Sequence, residues 1–287
     1  MRALVVGAAG HLGSAVVRHL AASADVTATT RADLDVRDHR AVEATVMRVG
    51  PDVVINCSAY TDVDRAEDEP AEALEVNAFA VKRLAAAARR AGAVFVHYST
   101  DFVFEGEPSR TEPYTEEDLP NPQGVYAASK LLGEWLAAGA GRHYVFRVES
   151  LFGGPLARSS VDKIIDALSS GREAKVFEDR IVSPSYVEDV AAASERVVQL
   201  GIPSGLYHCV NAGSTTWFEL GREIARIGGF DAGLLTPVPV AAVKLKAKRP
   251  QYCALSSAKL AATGVEMPSW QDSLQRYFEL RRSRERA

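Results

Sequence analysis

The chain is poor in the residues that would mark a stapled, membrane-bound or nucleic-acid-binding protein. Three cysteines occur in 287 residues, Cys57, Cys209 and Cys253. An odd, scattered set in apolar surroundings builds no disulfide framework and fits free buried thiols in a reducing compartment. No apolar run approaches the ~18–20 residues of a membrane span, so no membrane partner is expected. There is no basic excess either: 33 Lys and Arg against 37 Asp and Glu leave a net charge of −4. Nucleic-acid binding usually needs a basic face, so no nucleic acid is expected. An apolar strand from Ala3 meets Gly7 at once, which leaves no room for a signal peptide and makes a cytoplasmic location the expectation. Repeats are absent as well. What remains, 47% hydrophobic and 24% charged, is an ordinary globular composition, long enough for two domains or for one domain with an appended cap.

The first 150 residues alternate short β-branched runs with longer Ala- and Leu-rich stretches, the pattern of βαβ units. Strands are predicted at Ala3–Gly7, Asp25–Thr29, Val53–Cys57, Val94–Ser99 and Tyr144–Val148, and helices at Leu12–Ala22, Ala41–Val49, Ala71–Ala91 and Tyr126–Ala138. The strands are apolar throughout, which suits a parallel sheet covered on both faces. Beyond residue 149, Pro and Gly punctuation increases. Helices are predicted at Val161–Ser169, Val187–Leu200, Thr216–Ile227 and Ser269–Arg281, the third opened by the capping pattern Thr216-x-x-Glu219. The fold class expected is α/β: a Rossmann-type doubly wound parallel sheet over residues 1–148, with residues 149–287 forming mainly a smaller C-terminal α+β cap and segment 205–211 returning to the main sheet. The Arg281–Arg286 charge run reads as a solvated helix end.

Gly7-Ala8-Ala9-Gly10-His11-Leu12-Gly13 joins the first strand to the first helix. Glycines at this spacing permit a tight turn and bring backbone N–H groups and the helix N-terminus against a pyrophosphate. That context makes Gly7, Gly10, His11, Leu12 and Gly13 candidates for dinucleotide binding. The second strand ends in Thr29-Thr30-Arg31 where an acid would bond an adenosine ribose. Arg31 offers a guanidinium to a 2′-phosphate, so NADPH is the preferred cofactor and NADH the alternative. Asp35 and Val36 fall where a loop would edge the adenine.

Tyr126-Ala127-Ala128-Ser129-Lys130 sets Tyr and Lys one helical turn apart on one face. An ammonium beside a phenol favours the phenolate, so Lys130 is expected to lower the Tyr126 pKa toward working pH, where the group can exchange a proton with a carbonyl or alcohol oxygen. Ser99 and Thr100, at the end of the fourth strand, complete the set.

On these residues the chain resembles the extended short-chain dehydrogenase/reductases and, within them, the dTDP-4-dehydrorhamnose reductase family. The matching stretches are 7–13, 51–70, 97–106, 125–134, 205–217 and Lys248-Arg249-Pro250. The resemblance implies Tyr126 as general acid, Lys130 as its partner and a ribose contact, and Thr100 as a hydrogen bond to a sugar keto oxygen. It also implies Ser58, Ala59, Tyr60 and Ser99 against the cofactor, and Thr61, Val63, Asp101, Phe102, Ser150 and Arg249 toward a nucleotide-sugar substrate. The activity implied is NADPH-dependent reduction of a 4-keto-6-deoxy sugar nucleotide. Related dehydratases carry two acids after the threonine; the pair here is Asp101-Phe102, which favours ketone reduction over elimination of water.

Three positions depart from the family pattern. Phe102 lacks a hydroxyl, and Glu149-Ser150 stands where a Ser-Trp pair would meet the sugar. Some family members are metal-linked dimers. The first-helix position that would supply an acid is Ala15 here, so no metal is expected, and a homodimer remains a possible assembly. His97 and His208 read as packed strand residues, Trp217 as cap packing, and His11 as touching cofactor through its backbone only. Arg249, with Lys244, Lys246 and Lys248, is a candidate clamp for a diphosphate. Two other readings compete: a sugar-nucleotide epimerase or other ketoreductase, and a non-catalytic dinucleotide-binding regulatory subunit similar to that of methionine adenosyltransferase.

Overall fold

The computed structural model describes residues 1–285. Six strands, β1 (Arg2–Val6), β2 (Asp25–Thr29), β3 (Val53–Asn56), β4 (Val94–Thr100), β5 (His143–Val148) and β6 (Gly205–His208), form one sheet in the order β6-β5-β4-β3-β1-β2. Every pairing in it is parallel. Eight helices matter to the description: α1 (His11–Leu20), α2 (His39–Val49), α3 (Ala80–Arg90), α4 (Val125–Ala137), α5 (Ser160–Ser169), α6 (Val187–Leu200), α7 (Trp217–Gly228) and α8 (Trp270–Glu285).

The inner strands of the sheet are buried on both faces, which accounts for their unbroken apolar runs, while the edge strand β2 is largely half-buried or exposed. Ala3, Val5, Val96 and Phe146 pack against α1 and α6 on one side. Leu4, Val6, Val54 and Phe95 pack with Val42 and Val46 of α2 and Leu84 of α3 on the other. A separate core of Phe152, Ile164, Ile165, Leu220, Ile224, Leu274 and Tyr277 holds the C-terminal half together, and Trp217 is part of it.

The return of the second half to the sheet is larger than the strand expected at 205–211. β6 pairs with β5, and α6 and the Val265–Met267 segment also join the core that covers β1 and β5. The charge run at the C-terminus is not merely solvated. Arg281 pairs with Asp162 at 2.9 Å and with Asp166 at 3.1 Å, and Arg282 donates to the Ile227 carbonyl at 2.6 Å. Together they fasten α8 to α5 and α7, and Arg286 lies outside the described residues.

The helix starts are of two kinds, with α1, α4 and α6 lacking a side-chain cap. Asp38 caps α2, the Ser159–Asp162 capping box opens α5, and Thr216 caps α7. α1 begins at Gly10 with no side-chain cap, so its first-turn N–H groups are left for an anion. β1 lies between β2 and β3, the point where strand order reverses and the crevice of such sheets opens.

Candidate active site

The glycine loop has the geometry of a phosphate cradle. Gly7 turns at φ 80°, and a Cβ there would lie 2.6 Å from the Ser58 nitrogen. A Cβ on Gly13 would lie 2.2 Å from the Gly7 carbonyl oxygen. The loop therefore closes only without side chains. Leu12 is buried in the core, so it serves the loop through its backbone. His11 does more than expected: its ring Nε2 meets the Gly153 carbonyl at 2.6 Å, linking the loop to the start of the C-terminal half.

A cavity of about 680 Å³ opens from this loop, and Gly7, Gly10, Arg31, Asp35, Val36, Ser58, Ala59 and Tyr60 line it together. Its charges are mostly paired. Arg37 grips Asp35 at 2.6 Å and Glu72 at 2.9 Å, and Arg65 holds Glu69 at 2.7 Å. Hydrogen bonds from Arg37 hold the Asp35 carboxyl down at about 2. Asp35 is thus an ion-pair partner of Arg37 at the cavity edge, a pairing that the sequence reading missed. Among the described residues Arg31 is the cation of this cavity with no carboxylate partner.

Ser99 does not face the cavity. Its hydroxyl donates to Glu134 Oε1 at 2.5 Å, because Glu134 and Arg147 form a buried polar cluster behind α4 that draws it in. Asn77 was also missed. It sits in a single π-helical turn, Glu75–Phe79, which interrupts the helix predicted over 71–91. Its side chain accepts from the Tyr60 N–H at 2.8 Å and donates to the Tyr60 carbonyl and to Ser129, each at 3.0 Å. It thereby ties the Ser58–Tyr60 loop to α4. A polar residue within an otherwise apolar stripe was the signal available.

At the C-terminal end of β4, Thr100 and Tyr126 come together with Lys130 nearby. Burial pushes the Tyr126 phenol up to about 12, against the effect of a hydrogen bond with Thr100. This reverses the expectation that the Tyr126 pKa would lie near working pH. The lysine ammonium bonds the Tyr98 carbonyl and is itself held down at about 8 by burial, which outweighs the charge of Glu134. A phenol that keeps its proton is suited to give that proton away.

The substrate-side candidates divide. Phe102 packs edge-on against Tyr126, with ring centroids 5.7 Å apart, and Val63 lines a small cleft with both rings. Thr61 is exposed. Ser150 is half-buried in the left-handed region, φ 44°, a conformation that costs a non-glycine residue about 1–3 kcal/mol. Asp101 is buried at 3% exposure, beneath Thr100 and away from any open surface. Arg249 is not a free clamp: Asp64 holds it at 2.8 Å while its guanidinium lies beside the Phe102 ring. The unanticipated cation is Arg180, 5.4 Å from the Phe102 ring centroid. It also lines a 350 Å³ cleft with Lys163, Lys175, Phe177 and Trp217. His97 and His208 are fully buried, as expected. Burial holds His97 well below its usual range and His208 at about 3.

With this geometry in hand, residues 1–282 match the RmlD substrate binding domain family. The chain belongs to that family. A similar RmlD-type protein, the dTDP-4-dehydrorhamnose reductase of Streptomyces griseus, is 36% identical over 290 residues, covering 96% of this chain and 93% of that one. The dTDP-4-dehydrorhamnose reductase structure from Clostridium acetobutylicum superposes with a TM-score of 0.92 at 34% identity, covering 98% of this chain and all of that one. The enzyme of the same name from Bacillus anthracis, solved in complex with NADP, superposes with a TM-score of 0.91 at 31% identity, covering 96% of this chain and 98% of that one. Like its RmlD relatives, the chain is of the NAD(P)-dependent oxidoreductase type.

Proposed function

We propose that this protein reduces the 4-keto group of a nucleotide-activated 4-keto-6-deoxy sugar with NADPH, in the manner of a dTDP-4-dehydrorhamnose reductase. The observation that carries this reading is the half-buried Tyr126 phenol set beside Thr100, at the sheet end that also forms the phosphate cradle. The residues fit the cofactor: the side-chain-free turn at Gly7 and Gly13, the uncapped start of α1 and the unpaired Arg31 match a pyrophosphate and a 2′-phosphate. NADPH held there supplies hydride to the ketone carbon.

The chain supplies the proton and the grip. As charge develops on the keto oxygen, Tyr126 donates to it and the Thr100 hydroxyl steadies it. The Lys130 ammonium, in its charged form, favours the phenolate that is left. Lys163 and Lys175 line the cap cleft with Glu173 and with Arg180 at its edge, and their positive excess suits a substrate diphosphate. Asp101 is followed by an aromatic residue and not by a second acid, which supports reduction over elimination. No helix among the described residues is long and apolar enough to cross a membrane, in keeping with a substrate of this polar kind.

The test is NADPH oxidation with dTDP-4-keto-6-deoxy sugars, run beside Tyr126→Phe. Turnover by the native chain and its loss in the variant are expected. Absence of turnover on every sugar nucleotide, with NADPH still bound, would instead favour the regulatory-subunit reading.

A further inference from the structure

Glu149 and Asp101 form a buried carboxyl pair that the reaction as described does not use. Glu149 follows β5 and Asp101 follows β4, so parallel pairing of Thr100 with Val148 sets them side by side. They are 2% and 3% exposed. Their carboxylate oxygens lie within 4.8 Å of each other and of Cys253 Sγ.

The groups around them come from two segments, residues 180–183 and 252–253. Arg180 is 4.0 Å from Asp101 Oδ2 and donates to Cys253 Sγ at 3.7 Å. Cys253 and Tyr252 approach from the C-terminal side. The Ser183 N–H donates to Glu149 Oε2 at 2.7 Å. One guanidinium thus faces two carboxyl groups, and a single positive charge neutralises only one of them.

The hydrogen-bond inventory says where the other charge goes. Asp101 Oδ1 accepts from the Thr100 hydroxyl at 2.9 Å, and Glu149 Oε2 is occupied by Ser183. Asp101 Oδ2 and Glu149 Oε1 are both buried without a partner. Two orphaned buried oxygens in one cluster each cost about 1–3 kcal/mol, and one proton between the carboxyl groups gives both a partner. Burial pushes both groups above the ordinary carboxylate range, Glu149 the further because the Asp101 charge adds to it.

The consequence falls on Thr100. Its oxygen accepts from the Phe102 N–H at 3.2 Å, and its hydrogen points at Asp101, not into the pocket. An ionised Asp101 would hold that hydrogen tightly, since bonds to a charged acceptor are about twice as strong as neutral ones. We propose that Glu149 is a positioning residue: it shares a proton with Asp101, and the neutralised Asp101 releases the Thr100 hydroxyl hydrogen to the keto oxygen of the substrate. The effect on catalysis rests on the ketoreductase reading; the shared proton does not.

Infrared difference spectroscopy of Glu149→Gln against the native protein at neutral pH tests the proton directly. A carboxylic-acid C=O band present in the native protein and lost in the variant is expected; its absence from the native protein overturns the proposal whatever the substrate. If the variant does not fold, loss of the same band in Asp101→Asn decides the same point. Once turnover is established for the native chain, E149Q is expected to lower kcat on the order of tenfold to a hundredfold, with NADPH affinity unchanged. Adding D101N, which cannot ionise, should raise kcat again. An unchanged kcat in E149Q, or a fall that D101N does not relieve, overturns the role in positioning Thr100. Failure of the native chain to turn over any ketosugar would instead overturn the functional reading.

Discussion

Arg147 and Glu134 are joined by two hydrogen bonds of 2.8 Å, from Nε to Oε1 and from Nη2 to Oε2, with both side chains nearly inaccessible to solvent. The pair ties β5 to the helix that carries Tyr126 and Lys130. Replacing one member of a buried pair strands the other's charge, which costs about 3–5 kcal/mol. Glu134→Gln keeps the shape and should lower the unfolding free energy by that amount in a denaturant titration. It also removes the charge that supports the Lys130 ammonium, so the lysine should titrate at lower pH in whatever fraction folds. A variant as stable as the native chain would show that the pair contributes no net stability.

As the uncompensated cation of the cavity, Arg31 is expected to decide the cofactor. A charge-assisted hydrogen bond is worth about 1.5–3 kcal/mol, roughly a ten- to hundredfold change in binding. Arg31→Ala should raise the KM for NADPH by that factor and leave the KM for NADH nearly as it was. Equal losses with both cofactors would assign Arg31 a structural role. Arg37 makes a useful contrast, because its guanidinium is already shared between Asp35 and Glu72.

The parts of this molecule visible in its sequence are those made by neighbours along the chain. β2 and α6 occupy the residues expected of them, and the glycine loop needs only seven consecutive positions. Tyr126 and Lys130 share a face because helix geometry puts them there. The Asp101, Glu149, Arg180 and Cys253 cluster draws on four segments separated by tens of residues, and no local period announces it. Ser99 shows the same limit, since it stands where the pattern placed it but the distant Glu134 decides which way its hydroxyl bonds. The π turn at Asn77 is likewise a tertiary outcome, since its side chain is satisfied by Tyr60 and Ser129 and not by its own helix.

Lys130 gives the reaction a high-pH limb. Burial lowers its pKa to about 8, and below that value the ammonium is present to favour the Tyr126 phenolate. As pH rises through about 8 the charge is lost, while Tyr126, at about 12, keeps its proton. The profile of kcat/KM should therefore fall above pH ~8 with unit slope, as expected for one proton lost from the free enzyme. Stability moves the other way. The unfolded lysine stays protonated up to its ordinary value of 10.5, so between about 8 and 10.5 the unfolded chain binds more protons and the native state gains stability as pH rises. Activity and Tm moving together across that window would contradict the assignment.

Two glycines separate close packing from backbone strain. Gly13 has no room for a methyl group, since its Cβ would meet the Gly7 carbonyl oxygen at 2.2 Å. Gly92 has φ 71° and nothing within 4 Å of the Cβ it lacks. Gly92→Ala should lower stability by only about 1 kcal/mol, the cost of holding alanine in the left-handed region, and leave the NADPH KM unchanged. Gly13→Ala has to move the phosphate loop itself, so it should raise the NADPH KM at least tenfold at a stability cost of about 1–3 kcal/mol. Parallel urea titrations and cofactor kinetics on the two variants distinguish the effects. A Gly13→Ala protein with a native NADPH KM would mean that the pyrophosphate is held elsewhere than at the start of α1.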